Sequence, residues 1–544
     1  MLLTLGVRRA TGLLCRMPKH TYRVSALARG AIVPFALALA AKASAQVQPG
    51  PRVRAVILQR DAVFDSSESR FLPFRIANAL HAETRPNVIR RELLLGVGDP
   101  FDSDLVAESE RNLRALGIFR DVRIEPQVTD SGVVLVVRTL DAWTTTVGMS
   151  VATSGSQSVI DISLQETNLL GTRTVALLAY NNDVDRSSIT FGFDTPRAID
   201  NRIGLGATLI DRSDGSAVSA SLRLPFLSLS SRSGGSLTGS AIEGRILQFR
   251  DGAVVDSLWR EAALLRADAA YAVSAGPRGY VRLGMVGIWR RDDIIALEER
   301  GQIPTTQTAT AGPYVSVRSP RFIRVRNVER IGRIEDVDLG TFGTMAVFAA
   351  PEAWGYARNG IGGSLGVGIG TRIPSGFARF GVRGSMLQTS EGTDSATFDG
   401  AATLVGQPGE RHLLVLHGSG GLQRNIVPGR EFDLGLGAGL RAYPAHSFTG
   451  DRFFILAGEY RALIWPRLFD LVGVGAAAFA GHAGAWNGGN PKRTGTEFGV
   501  GLRIASLREA GGIWRLDLSR RVAGSGFGGG FVASLGRGFV FGGI

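Results

Sequence analysis

The sequence contains a pattern typical of serine hydrolases, in which glycines stand two residues before and two residues after a serine. Gly362, Ser364 and Gly366 form this pattern. A nucleophilic serine of this kind stands on a sharp turn between a strand and a helix. No helical periodicity follows Ser364, and a chain with 72 glycines can match the pattern by chance. A hydrolase would need Ser364 as its nucleophile, but we expect no enzymatic activity.

Metal and nucleotide chemistry are also not expected. His412 and His417 are five residues apart, which places them on opposite faces of a strand, where they cannot bind one metal ion. The glycines of Gly435–Leu440 lie in a strand pattern without a following helix, so they do not form a dinucleotide-binding motif. The sequence shows no phosphate-binding loop and no zinc-binding motif. We therefore predict a protein without a metal site or a cofactor.

The net charge of +13 is concentrated at the N-terminus. Residues 1–45 contain seven basic side chains and no acidic one. The remaining chain has no run of Lys or Arg and no basic stripe interleaved with aromatic residues, so nucleic acid is not an expected partner. Cys15, the one cysteine of the chain, lies in the same segment. The rest can form neither a disulfide nor a thiolate metal site, which suits an oxidising compartment.

This N-terminal segment has the features of a secretory signal peptide. The apolar run Ala31–Ala41 follows the basic stretch, and small residues at Ala43 and Ala45 suit a signal peptidase, with cleavage predicted after Ala45. A membrane anchor is the alternative, but the run is too short to cross a core of about 30 Å and Pro34 interrupts it. Because the basic stretch is long, Met17 is an alternative start.

Residues 50–141 predict a small domain with the element order β-α-α-β-β, in which two helices cover a three-stranded sheet. Asp102 is the expected N-cap of the second helix, and Gly117 stands where that helix ends. The predicted elements are a strand over Val53–Gln59, a helix from Asn87 to Leu95, a helix from Ser103 to Leu116, and strands over Phe119–Glu125 and Gly132–Thr139.

Residues 142–544 show the pattern of a transmembrane barrel. Segments of about ten residues alternate apolar or small with polar residues, and turn residues separate them. No segment has the roughly twenty uncharged apolar residues of a spanning helix, and a membrane protein without such helices has to pair its backbone in a closed barrel. We predict a mainly β protein with an antiparallel barrel of about sixteen strands. Residues 292–340 are expected to include a long loop or an extended hairpin.

A soluble array of β-sandwiches is the alternative, but the sequence lacks the repeat of roughly one hundred residues that it requires. The C-terminal pattern favours the barrel. Ser534, Gly536, Phe539 and Phe541 fit the outer-membrane β-signal, in which a polar residue and a glycine precede two aromatic residues on one face. Three residues follow the pattern before the chain ends.

Two motifs in the small domain resemble those of polypeptide-transport-associated (POTRA) domains. Gly98–Phe101 resembles the Gly-x-x-Phe/Tyr turn between the two helices. Leu116–Phe119 resembles the Leu-Gly-Phe/Tyr-Phe end of the second helix. The resemblance implies a domain that guides client proteins by pairing their extended segments with a sheet edge. A generic small α/β domain is the alternative.

Three further segments resemble the BamA/TamA family of outer-membrane assembly and translocation proteins, also called the bacterial surface antigen family. Leu164–Arg173 resembles its early-barrel motif, Gly439–Arg461 its sixth loop with the following strand, and Gly499–Val522 its penultimate hairpin. Two-partner secretion transporters of this family carry two POTRA domains and a plug helix. The sequence indicates one such domain and no plug helix.

The resemblance implies a specific role for an arginine of the sixth loop. This loop folds back into the lumen, where its arginine pairs with carboxylates of the wall, because an unpaired buried charge is costly. Glu459 is the first expected partner. The family's second partner is an aspartate, and Gly481 or His482 stands at its place, so only half of this clamp is expected. The loop motif consists of Leu440, Arg441, Ala442, which replaces the family glycine, and Tyr443.

These observations predict an outer-membrane protein whose POTRA-like domain lies in the periplasm. It would accept unfolded outer-membrane or secreted clients and insert or export them at the seam between the first and last strands. Five glycines within residues 524–530 precede the last strand and indicate either a weak seam or a flexible extracellular loop. Outer-membrane lipid is an expected partner, and periplasmic chaperones or an inner-membrane protein are further candidates. A passive pore or structural barrel with a periplasmic handle is the alternative.

Overall fold

The computed structural model describes most of the chain after residue 50. All of the described residues belong to one compact unit, Val47–Ile544. The predicted signal peptide, with Ala43 and Ala45, lies outside the described residues, and so do Phe539 and Phe541. The described residues are 51–64, 72, 75, 81–154, 157–200, 202–250, 252–296, 302–425, 429–436, 439–509, 512–522 and 527–537.

The small domain has two helices on a three-stranded sheet. Its strands lie in the order β1-β3-β2, with β1 parallel to β3. The elements are β1 (Val53–Asp61), α1 (Pro86–Arg90), α2 (Ser103–Ala115), β2 (Phe119–Thr129) and β3 (Gly132–Asp141). Asp102 caps α2 by accepting hydrogen bonds from the N–H groups of Asp104 and Leu105. Gly117 follows the helix with a φ of 73°, a conformation that favours glycine.

The first helix is shorter than the sequence predicts. It begins at Pro86 and ends at Arg90, so the expectation of a helix capped by Asn87 and reaching Leu95 is wrong. Proline fits the first helical position because its missing N–H has no acceptor there. The helix is nevertheless anchored, since Val88 and Ile89 are buried in the core of the domain.

The second part of the chain is a closed antiparallel barrel of twenty strands within the described residues. The expected number of about sixteen is therefore wrong. One reason is that part of residues 292–340, where a long loop or an extended hairpin was expected, forms a barrel strand over Gln302–Ser319. The first half comprises β4 (Thr145–Ser154), β5 (Gln157–Leu169), β6 (Thr174–Asn182), β7 (Ser187–Ile199), β8 (Ile203–Arg212), β9 (Gly215–Leu224), β10 (Ser233–Arg250), β11 (Ala253–Gly276), β12 (Gly279–Ala296) and β13 (Gln302–Ser319).

The second half of the barrel continues after an inserted hairpin. It comprises β16 (Thr341–Ala350), β17 (Gly360–Ile373), β18 (Gly376–Thr389), β19 (Gly392–Gly406), β20 (His412–Arg424), β23 (Arg452–Leu468), β24 (Val472–Trp486), β25 (Thr494–Ser506), β26 (Trp514–Arg521) and β27 (Gly530–Arg537). A 3₁₀ turn, Glu352–Trp354, lies between β16 and β17. The barrel closes where β27 pairs with β4.

Side chains alternate between the two faces of the barrel wall. In β24, Phe479, Gly481 and Ala483 are buried and face the lumen. Large apolar side chains are exposed on the outer face, which is the surface that lipid covers in a membrane barrel. Examples are Phe191, Leu209, Met285, Leu456 and Val500. No helix among the described residues is long and apolar enough to cross a membrane.

An inserted hairpin, which we call the strap, occupies residues 320–340. It contains β14 (Phe322–Arg326) and β15 (Ile334–Asp338) and thus matches the expected extended hairpin. Because β13 and β16 flank it, the strap lies at the end of the barrel that joins the small domain. One face packs on the barrel wall, where Ile323 and Leu339 contact the cluster that includes Phe377, Val405, Leu413 and Val415.

The other face of the strap contacts the small domain. Asp336 accepts a hydrogen bond of 3.0 Å from Arg114 of α2, and Arg324 donates one of 2.8 Å to Glu110. The buried Arg333 donates to the carbonyl of Phe119 at 3.1 Å. Strand alternation explains the two faces, since successive side chains of β14 and β15 point toward the wall and toward the small domain.

The small domain itself docks on the part of the rim that the strap leaves open. Asn168, near the end of β5, bonds to Thr84 at 2.9 Å, and the carbonyl of Gly171, in the turn before β6, accepts from the N–H of Arg85 at 3.0 Å. A Cβ on Gly171 would lie 2.2 Å from the carbonyl oxygen of Glu83, so this close approach requires glycine. The early-barrel motif thus fixes the small domain at the rim of the barrel.

Replacing residues 321–339 with a short Gly-Ser linker is expected to raise the ion conductance of the barrel severalfold in planar lipid bilayers, because the strap covers part of the water-filled cross-section. Heat-modifiable electrophoretic mobility checks that the variant folds. A folded variant whose conductance equals that of the unmodified protein would show that the strap does not restrict the mouth.

Candidate functional site

The candidate site is the long loop between β20 and β23, which folds back into the lumen. The loop contains a short hairpin of β21 (Phe432–Leu434) and β22 (Phe448–Gly450). Leu440, Ala442 and Tyr443 of the predicted motif are at most 1% exposed. The wall is shaped to receive them, since a Cβ on Gly495 would lie 2.4 Å from the ring of Tyr443. The sequence therefore places a glycine in the wall where the loop needs space.

Arg441 is held by two carboxylates of the inner wall. Its Nη1 lies 2.7 Å from Oδ2 of Asp517 on β26, and its Nη2 lies 3.3 Å from Oε2 of Glu459 on β23. The two carboxylate side chains are 1% and 0% exposed. The guanidinium also lies over the ring of Phe479, 3.8 Å from its centroid. Glu459 thus stands where the resemblance implies a partner of Arg441.

The second carboxylate comes from a different strand than the resemblance implies. Gly481 faces the loop, but a Cβ there would already lie 3.1 Å from Leu440 and 3.4 Å from Glu497, so an aspartate would have to displace these side chains. His482 bonds to Thr496 Oγ1 at 2.8 Å on the outer face of β24, so it is not a partner of Arg441. Asp517 takes this place from β26. The sequence led us to expect one carboxylate partner for Arg441, and this is corrected to two, Glu459 and Asp517.

Further arginines complete the network around these acids. Arg503 on β25 lies 2.9 Å from Glu459 and 2.6 Å from Asp517. Arg461 lies 2.5 Å from Glu459 and also donates to the carbonyl of Val328 in the strap at 3.0 Å. Buried charges require opposite charges nearby, because their desolvation costs several kcal/mol per ion. The network therefore ties the loop, the wall and the strap to one another.

The backbone of the loop is held as well. The N–H of Ala442 donates to Glu497 at 2.7 Å. The hydroxyl of Tyr443 accepts from the N–H of Thr496 at 2.8 Å. The N–H of Ala445 donates at 3.0 Å to Gln157, which begins β5. Because these partners lie on β25 and on β5, the loop connects the two sides of the seam.

The seam between β27 and β4 is the shortest ladder of the barrel in the described residues. It has two paired positions, Ser534 with Ala152 and Leu535 with Val151, whereas the ladder between β13 and β16 has seven. Arg537 reaches across the seam and donates to the carbonyl of Val147 at 2.6 Å. Of the predicted β-signal, Ser534 and Gly536 lie in β27.

Sequence reasoning missed Asp517, Arg503, Arg461 and Glu497. They are charged residues on the inner faces of β23, β25 and β26, whose outer faces carry mainly apolar residues. That pattern is a usable signal, because a charge facing a lumen needs a partner. The identity of the partner depends on which strands face each other across the lumen, and this is not visible in the sequence.

The remaining sequence candidates lie apart from this network. Ser364 lies in the middle of β17, paired with Ala346 and Ser385, and not on a turn before a helix. His417 bonds to Thr403 at 2.9 Å and His412 to Tyr460 at 2.7 Å. Within the described residues, no cluster of His, Cys, Asp and Glu could hold a metal ion.

Comparison with known proteins identifies the small domain. The family model described as POTRA, surface antigen variable number repeat, matches residues 76–140. The chain therefore carries a POTRA domain followed by a closed antiparallel barrel, which is the domain order that the resemblance to the BamA/TamA family predicts. No curated protein matches the sequence.

Several solved structures are similar to the chain. BamA from Haemophilus ducreyi lacking POTRA domains 1-3 shares 12% identity over 91% of this chain and 86% of that chain, with a TM-score of 0.39. CdiB from Escherichia coli shares 11% identity over 92% of both chains, with a TM-score of 0.44. The FrpB iron transporter from Neisseria meningitidis shares 9% identity over 78% of this chain and 88% of that chain, with a TM-score of 0.41. Similarity of this degree carries no functional conclusion.

His446 also fastens the loop at its outer end, and its titration predicts how the stability of the loop depends on pH. The ring lies 2.5 Å from Asp433 and 3.2 Å from Asp185 and stacks on Phe249. Burial alone would lower the pKa of His446, but the two carboxylates raise it to about 9. A histidine whose pKa is higher in the folded protein contributes its full stabilisation at pH values below its unfolded pKa of about 6.5. This stabilisation is lost as the pH rises through 9.

We therefore expect this loop to resist added protease at pH 6 and to be cleaved faster as the pH rises toward 10. In the variant His446→Gln, the cleavage rate corrected for the protease's own pH dependence should change little over this range. Equal pH dependence in both proteins would contradict the assignment to His446.

Proposed function

We propose that the protein is an outer-membrane assembly or translocation factor. It accepts unfolded clients in the periplasm through its POTRA domain and inserts or exports them at the seam between β27 and β4. The observation that carries this proposal is the buried pairing of Arg441 with Glu459 and Asp517, which holds a lumen loop beside the ladder that is shortest among the described residues.

The POTRA domain supplies the first step. Its sheet ends in β1 on one side and β2 on the other, and an extended client segment can add a strand to such an edge through backbone hydrogen bonds. Strand addition requires no particular client sequence, because backbone groups provide most of the bonds. A single edge can therefore accept many unfolded clients.

The seam supplies the second step. Few backbone groups are paired between β27 and β4, so opening the barrel there breaks fewer hydrogen bonds than at any other described ladder. An exposed strand edge is a template for an incoming strand. Burial of the client's apolar side chains and completion of its backbone pairing in lipid provide the driving force, so no nucleotide is needed.

The location and partners follow from the same proposal. The exposed apolar side chains of the outer face suit the lipid of an outer membrane, and the POTRA domain then lies in the periplasm. Unfolded outer-membrane or secreted proteins are the clients, and periplasmic chaperones or an inner-membrane protein could deliver them. The protein acts without enzymatic chemistry in this account.

A passive pore or structural barrel with a periplasmic handle is the competing function. A passive pore needs an open path, whereas a long loop folds back into this lumen and packs its Leu440, Ala442 and Tyr443 against the wall. This arrangement favours controlled entry over free diffusion.

The test is the folding rate of a purified, denatured barrel protein into liposomes, with and without this protein. We expect acceleration by the unmodified protein and loss of most of it in Arg441→Ala, because the loop is then no longer held beside the seam. Arg383→Ala is the matched control, since Arg383 pairs with Asp399 in the lumen but is 79% exposed and lies outside the network. Absence of acceleration by correctly folded protein would contradict the proposal and favour the pore.

A further inference from the structure

A cavity of about 620 Å³ lies between the POTRA domain, the strap and the inner wall of the barrel. We call it the junction cavity. Its lining includes Arg111 from α2, Phe226 and Ser228 from the turn between β9 and β10, and Tyr280 and Arg282 from β12. The volume lies in the range of roughly 300–1,000 Å³ that is typical of sites for small ligands. A short extended segment fits such a space, but a folded domain does not.

Arg282 is an unusual residue in this cavity. It is 8% exposed, and its guanidinium lies between the rings of Phe226 and Tyr280, 3.5 Å from each centroid. Its Nη2 makes one long hydrogen bond of 3.4 Å to the carbonyl of Ser228, and its Nε has no hydrogen-bond partner. Among the described residues, no carboxylate lies at salt-bridge distance from Arg282. A buried cation without a counter-charge is costly to maintain.

Most of the acids that line the cavity are already engaged. Asp336 and Asp338 pair with Arg114 and Arg318, and Glu335 accepts backbone N–H groups of the strap turn. Glu108 accepts from the N–H of Leu229 with one oxygen, and its other oxygen has no partner. Two more lining arginines, Arg111 and Arg379, have no carboxylate at salt-bridge distance within the described part of the chain. Arg282 and Arg379 are therefore cations without a paired carboxylate in the described residues, and Arg111 is balanced only in part by Glu108 and Asp336.

We infer that the junction cavity binds carboxylate side chains of an extended polypeptide, with Arg282 as the anchoring residue. A guanidinium presents a planar fork of donors that matches a carboxylate. The two aromatic rings hold this fork in one orientation and exclude water, which strengthens the interaction. The cavity opens between the POTRA domain and the lumen, where a client would pass. The identification of this polypeptide as a client rests on the proposed function, whereas the existence of the binding site does not.

The test uses two fluorescent eight-residue peptides that differ only in carrying four glutamates or four glutamines. Fluorescence anisotropy with the full-length protein in detergent micelles measures their affinities. We expect the glutamate peptide to bind at least about tenfold more tightly, since a hydrogen bond to a charged group contributes roughly 1.5–3 kcal/mol. Binding should weaken as salt is added, because ions screen the interaction.

Variants assign the site. Arg282→Gln should weaken binding of the glutamate peptide about tenfold, and Arg282→Lys, which keeps the charge but loses the fork, should have an intermediate effect. Arg111→Gln on the surface of α2 is a second variant in case Arg282→Gln does not fold. Arg383→Gln is the control and should bind normally. Equal affinity for both peptides, or unchanged affinity in both Arg282→Gln and Arg111→Gln, would overturn the inference.

The outcome is separable from that of the proposed function. If the unmodified protein accelerates client folding but does not bind the glutamate peptide, the inferred site is wrong and the proposed function stands. Peptide binding by a protein that does not accelerate client folding would support the site and overturn the proposed function.

Discussion

Glu459 and Asp517 are almost completely buried inside the barrel, and three arginines donate hydrogen bonds to them. Arg441 comes from the lumen loop and Arg503 from β25. Arg461 comes from β23, and its side chain also reaches the strap. Removing one partner of such a network leaves a charge without compensation, which is strongly destabilising. The position of the loop, and with it the contact between loop and seam, depends on this balance of charges.

The wall around the network is built to fit it. Gly481 and Gly495 leave space for Leu440 and Tyr443, and a Cβ on Gly501 would lie 2.1 Å from Asp517. An aspartate at residue 481, where the resemblance implies one, would have to displace Leu440 and Glu497. Asp517 on β26 supplies the second carboxylate for Arg441. Arg441 therefore has two carboxylate partners, although one of them is not the residue that the resemblance implies.

The sequence was informative where local rules decide the structure. The cap at Asp102, the glycine after α2 and the alternating strands follow from hydrogen bonding and side-chain direction within a few residues. It was less informative where distant elements meet. Asp517 pairs with a residue 76 positions away, and the strap contacts α2 across 222 positions. The strand number failed for a related reason, since pairing with neighbouring strands determines which segments become strands and which stay loops.

The central claim is that Arg441 and Asp517 act together to hold the loop for client insertion. A double-mutant cycle on the rate of client folding into liposomes tests it, with Arg441→Ala, Asp517→Ala and the double variant. If the two residues act through one ion pair, the double variant should be no slower than the slower single variant. If the rate losses of the two single variants multiply in the double variant, the residues act independently and the account is wrong.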